Sequence, residues 1–87
     1  ANPIQKPDPD VYLRALAHLK ADVTQTIAIE DSPTGVLSAT NAGITTYGYV
    51  GLSNDPITLQ ERLMDTGCKA TFQHWSELPQ LTGLYHT

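Results

Sequence analysis

Thr26-Ile27-Ala28-Ile29-Glu30-Asp31-Ser32-Pro33-Thr34-Gly35 sets the architecture. Residues 26–30 are short, β-favouring and almost wholly apolar, the pattern of a strand buried on both faces of a parallel sheet. Two carboxylates close that strand, and Ser32-Pro33 follows at once. Serine is a good N-cap, and proline suits the first helical position because its missing N–H has no partner to lose there. The helix so begun carries Val36, Ala39, Thr40 and Gly43 on one face. Its small residues allow it to lie close on a sheet, and Gly43 is a plausible stop.

The same alternation extends in both directions. Upstream, Asp8-Pro9 opens a helix whose Tyr12, Ala15, Leu16 and Leu19 fall on one apolar face. Downstream, Ile44 to Tyr49 predicts a second strand. Asp55-Pro56 starts a third helix with Leu59, Leu63 and Met64 turned inward and Gly67 at its end. Ala70-Thr71-Phe72 is a short third strand. Trp75 to Leu84 predicts a last, weaker helix, broken or started late by Pro79. The order α-β-α-β-α-β-α implies an α/β fold of about three parallel strands with flanking helices and right-handed crossovers. Ligands on such sheets bind at the carboxyl ends of the strands, where Glu30 and Asp31 sit.

Composition removes several function classes. A chain of 87 residues makes one domain or a piece of one. Cys68 is the single cysteine, so no disulfide forms within the chain. Net charge is −4, and the five Lys and Arg form no cluster, which argues against a nucleic-acid surface. No apolar run is long enough to span a bilayer, and Ala1-Asn2-Pro3 lacks the regions of a signal peptide. A cytoplasmic protein is expected.

Glu30 and Asp31 are the first candidates for chemistry. Bare charge at the end of a buried strand wants a cation or donors. Hard carboxylate oxygens suit Mg²⁺, which takes one or two protein carboxylates with phosphate and water. Taken alone, the pair is read equally well as Asp31 and Ser32 capping the helix while Glu30 is solvated. Lys6 precedes the first helix in Lys6-Pro7-Asp8-Pro9. Alone it is a surface charge, but flanking prolines would aim it rigidly, and a positioned cation is what phosphoryl transfer uses.

Together, Lys6-Pro7-Asp8-Pro9-Asp10-Val11-Tyr12, the amphipathic helix, and the run Ile27-Ala28-Ile29-Glu30-Asp31-Ser32-Pro33-Thr34-Gly35-Val36 through Gly43-Ile44 resemble motifs III and IV of the haloacid dehalogenase superfamily. The resemblance is closest to the branch of β-phosphoglucomutase and phosphoglycolate phosphatase, and it runs from Lys6 to about Gly51. It implies the C-terminal half of a Rossmann-like core, residues 1–87. It also implies a Mg²⁺-dependent phosphomonoester hydrolase or sugar-phosphate mutase working through an aspartyl-phosphate on a small phosphorylated metabolite. By the same resemblance Lys6 bridges the nucleophile and the phosphoryl group, and Asp31 binds Mg²⁺ with Glu30 as a direct or water-mediated partner. Ser32 orders the acidic loop, and Gly35 lets the helix approach closely.

The family's nucleophilic Asp-x-Asp motif and its cap domain are not in these residues. Asp8-Pro9-Asp10-Val11 matches that motif superficially, but no apolar strand precedes it and Pro9 favours a helix start. The chain alone is therefore expected to be inactive, and phosphatase is not separable from mutase without the cap. A strand partner is also missing, so the strand carrying Glu30 offers an edge for self-association. A non-catalytic module binding Mg²⁺ or a partner is the main alternative. A response-regulator-like phosphoacceptor fits worse, since there the acidic cluster precedes the Lys. His18, His74 and His86 share no ligand spacing and are read as surface residues. Trp75, with Leu78 and Leu81, is read as a core edge, and Tyr47 and Tyr49 as strand packing.

Overall fold

Helix α1, Asp10–Leu19, opens the computed structural model, which describes residues 8–83. Strand β1, Ile27–Glu30, follows a short 3-10 turn; then come α2, Pro33–Asn41, β2, Thr45–Tyr49, and α3, Pro56–Thr66. Strand β3, Ala70–Phe72, a 3-10 turn at Trp75–Glu77 and α4, Leu78–Thr82, complete it. The helix starts follow local chemistry. Asp8 Oδ1 accepts the Asp10 N–H at 2.8 Å, Ser32 Oγ that of Gly35 at 3.0 Å, and Asp55 Oδ1 that of Thr58 at 3.2 Å. Each carries one of the amides that a helix start leaves unpaired. Gly43 and Gly67 end α2 and α3 at φ +83° and +120°, where a side chain would be strained. The last helix starts late, with a proline in its first turn, as Pro79 implied.

The three strands are parallel, in the order β1-β2-β3. Register pairs Glu30 with Gly48, and Gly48 with Thr71, so these residues line up across one face of the sheet. Helices α2 and α3 cover that face. One cluster there joins Val36, Val50, Leu63 and Cys68; another joins Ala28, Ala39 and Ile44, with Tyr12 and Leu16 of α1 against it. Gly48 makes the approach possible, since a Cβ there would lie 2.7 Å from Leu63 Cδ1. On the opposite face Tyr47 is buried and its hydroxyl donates to the Leu81 carbonyl at 3.3 Å. Tyr49 stacks on Trp75 at 4.8 Å, and Phe72 meets Trp75 edge-on at 5.1 Å.

Three expectations are corrected. β1 is not buried on both faces: Ala28 is buried, but Ile27 and Ile29 are only half-buried. Among the described residues β1 is an edge strand, with a sheet neighbour on one side. The α1 stripe is narrower than its periodicity, because Tyr12 and Leu16 dock while Ala15 and Leu19 face solvent. Met64 is exposed, at 44% of its surface, one step around α3 from the fully buried Leu63. Cys68 is buried, and burial pushes its thiol up. The predicted Leu84 end of the last helix lies outside the described residues. No described helix is long and apolar enough to cross a membrane.

Candidate functional site

The carboxyl end of β1 and the start of α2 build the site. Glu30 ends the strand, Asp31 turns the chain, and Ser32 caps the helix from extended backbone at φ −134°, ψ 151°. Pro33 occupies the first helical turn, where no amide is lost. The Ser32 carbonyl accepts the Val36 N–H at 2.9 Å, so both ends of this residue anchor the turn. Ser32 is therefore the cap that its place before Pro33 implied.

The two carboxylates occupy different surroundings. Asp31 is exposed, whereas Glu30 is half-buried. Burial pushes the Glu30 carboxyl above its ordinary value, and the neighbouring Asp31 charge adds to the rise. A desolvated carboxylate beside a second one is a donor pair that a hard divalent cation would relieve. Among the described residues no three His, Cys, Asp or Glu side chains gather into a cage. A carboxylate pair fits Mg²⁺, which keeps several waters and uses few protein ligands.

Gly35 stands beside this pair. A Cβ built there would clash with Glu30 Oε1 and lie 2.7 Å from Glu30 Cδ. The glycine thus leaves space for the Glu30 carboxylate. Lys6 lies outside the described residues.

Two recesses flank the loop. The first, about 560 Å³, opens between the starts of α1 and α2, with Asp8, Asp10, Tyr12, Glu30, Ser32 and Gly35 in its lining. Asp10 also pairs with Arg14 at 2.7 Å across an exposed helical turn. The second, about 300 Å³, lies between Glu30, Asp31, Tyr49 and Trp75. Periodicity assigned Tyr12 to packing and Trp75 to a core edge. It gave no signal that Tyr12 would also line a cleft, or that Trp75 would stay 55% exposed beside the acidic loop. The described His18 and His74 are both exposed, and neither lines the acidic loop. Asp8 and Asp10 belong to a helix start, in keeping with the rejection of this run as a nucleophile motif.

Comparison with known proteins bears on the fold and the family. The chain is 44% identical over 43 residues to validoxylamine A 7′-phosphate phosphatase of Streptomyces hygroscopicus subsp. limoneus, covering 49% of the chain and 20% of that protein. It is 42% identical over 57 residues to a phosphorylated carbohydrates phosphatase of Thermotoga maritima, covering 64% of the chain and 26% of the relative. The chain thus spans about a quarter or less of the length of these curated relatives. Among solved structures, a candidate β-phosphoglucomutase of Thermotoga maritima superposes with a TM-score of 0.75 at 33% identity, over 93% of this chain and 36% of that one. The model of the haloacid dehalogenase-like hydrolase family matches residues 2–49, more than half of the sequence. Motif order, parallel α/β fold and this match agree, and the chain belongs to the haloacid dehalogenase-like hydrolases.

Proposed function

We propose that this chain supplies the lysine and the acidic loop of a Mg²⁺-dependent phosphoryl-transfer site, in a phosphomonoester hydrolase or sugar-phosphate mutase. The observation that carries the reading is the Glu30–Asp31 pair at the carboxyl end of β1, held by the Ser32 cap with Glu30 half-buried. The similarity to two phosphatases, one of phosphorylated carbohydrates, supports a small phosphorylated metabolite as substrate.

Bound Mg²⁺ would screen phosphate charge and polarise the phosphoryl oxygens. The chain's own residues provide the rest of the setting. Asp31, exposed at the strand end, would face the cation directly. Glu30 would hold it directly or through water. Ser32 would fix the loop so that neither carboxylate must reorganise during the reaction, and preorganisation of this kind is the main source of electrostatic catalysis. Lys6 would bridge the attacking aspartate and an oxygen of the transferring phosphoryl group from beside the line of attack, neutralising charge as the bond breaks. That aspartate, which would form the aspartyl-phosphate, is not in this sequence, so the 87 residues alone would be inactive.

Lys6→Ala and Asp31→Ala in the full-length protein test this reading with a phosphomonoester assay. Each should lower kcat/KM by about 100-fold or more, the scale of losing a preorganised charge-stabilising group. Mg²⁺-dependent turnover surviving both changes would refute it. Among the described residues β1 has one sheet neighbour, and that open edge favours a second reading, a half-domain that binds a partner without catalysis. Full activity of both variants, with tight partner binding by the isolated chain, would favour that instead.

A further inference from the structure

We infer that Gly35 is a positioning residue whose missing side chain forms the slot that holds the Glu30 carboxylate beside the α2 N-terminus. The inference rests on the metal-binding reading of Glu30 only for its functional consequence. Its geometric basis is independent.

Gly35 lies in the first turns of α2. Its φ is not among the positive values, so the backbone does not call for glycine here. Within a helix alanine would be the better residue on propensity. What the glycine supplies is room. A Cβ would overlap Glu30 Oε1, lie 2.7 Å from Glu30 Cδ and sit 3.1 Å from Ser32 Oγ. Ser32 Oγ is already committed to the Gly35 N–H at 3.0 Å, so it holds the floor of the slot in place. Strand alternation and register set Glu30 on the face that α2 covers, with Ala28 and Gly48, so the side chain leaves the sheet toward this helix.

The atoms a new methyl would strike are the far end of a flexible side chain. A methyl at this position therefore displaces the carboxylate and leaves the helix where it is. The fold survives while the angle between Glu30 and Asp31 changes. Gly35 acts on the cation through Glu30, without touching it.

Two measurements on the full-length protein test this. The first is a crystal structure of metal-free Gly35→Ala. It should show the α2 backbone unmoved and the Glu30 carboxylate swung out of the slot. A shifted α2 with Glu30 still in place would overturn the slot. The second is Mg²⁺ titration of activity in wild type, Gly35→Ala, Glu30→Gln and the double variant. Gly35→Ala should raise the half-saturating Mg²⁺ about 10-fold or more, as loss of an outer support does. In the Glu30→Gln background the same change should add almost nothing, because both act through one carboxylate. Additive effects would place Gly35 elsewhere in the mechanism and overturn the inference. If wild type shows no Mg²⁺ dependence, the metal reading fails, while the crystal structure still decides the slot.

Discussion

Glu30 carries a conflict that a metal-free protein must tolerate. Its folded carboxyl lies above the ordinary value of 4.5, through burial and the Asp31 charge. A raised carboxyl contributes stability fully below the ordinary value, and that stability is lost as pH rises through the folded value. Glu30→Gln removes the charged form and should raise the metal-free melting temperature at neutral pH. The gain should shrink as pH approaches 4. The same variant should lose the stabilisation that added Mg²⁺ gives wild type. Thermal melts across pH, with and without Mg²⁺, read both effects; a less stable Glu30→Gln at pH 7 would contradict the account. Lys20 offers a simpler test. It ends α1 at φ +54°, a left-handed conformation that costs a non-glycine residue about 1 kcal/mol. Lys20→Gly should stabilise by at most roughly 0.5 kcal/mol in urea unfolding, after the added freedom of the unfolded chain is discounted.

At the scale of elements, helix α2 depends on its cap. Ser32→Ala removes the acceptor for the Gly35 N–H and should cost about 1 kcal/mol in urea unfolding. It should also weaken Mg²⁺ dependence, because the acidic loop loses its anchor. An unchanged unfolding midpoint would deny the cap its part. Capping chemistry is also why so much here was legible in sequence. Ser32-Pro33 and Asp55-Pro56 announce helix starts, and Gly43 and Gly67 announce ends, because each residue type answers a local backbone need. Ala70–Phe72 is short and β-favouring, and the strand lies there. Periodicity is a weaker guide, because it marks an apolar stripe without naming what covers it. Leu19 and Met64 sit on predicted inner faces yet remain exposed, since no described element packs over them.

The whole molecule is asymmetric. Helices α2 and α3 cover one face of the sheet, while the other meets α4 and the Trp75 turn. The parallel topology was legible because strand and helix signals alternate. The partial burial of Ile27 and Ile29 was not, because it depends on which strand stands beside β1. In the described residues β1 has one neighbour, β2. Unpaired edges invite pairing with other chains. The isolated 87-residue chain should therefore self-associate. Sedimentation equilibrium should give masses above 9.5 kDa that rise with concentration; a constant 9.5 kDa would argue that the edge is protected. Glu30, Asp31 and Ser32 were legible as a strand end and a helix cap because carboxylates and a cap at those points are local signals. The slot at Gly35 was not, since it exists only once the Glu30 side chain folds back over α2.

The most direct test of the acidic loop is phosphomonoester hydrolysis by the full-length protein, chelated and then titrated with Mg²⁺, wild type against Asp31→Asn. The account predicts that wild-type activity vanishes on chelation and returns with Mg²⁺, while Asp31→Asn recovers little at any Mg²⁺ concentration. Equal recovery by both proteins, or undiminished activity in chelator, would contradict it.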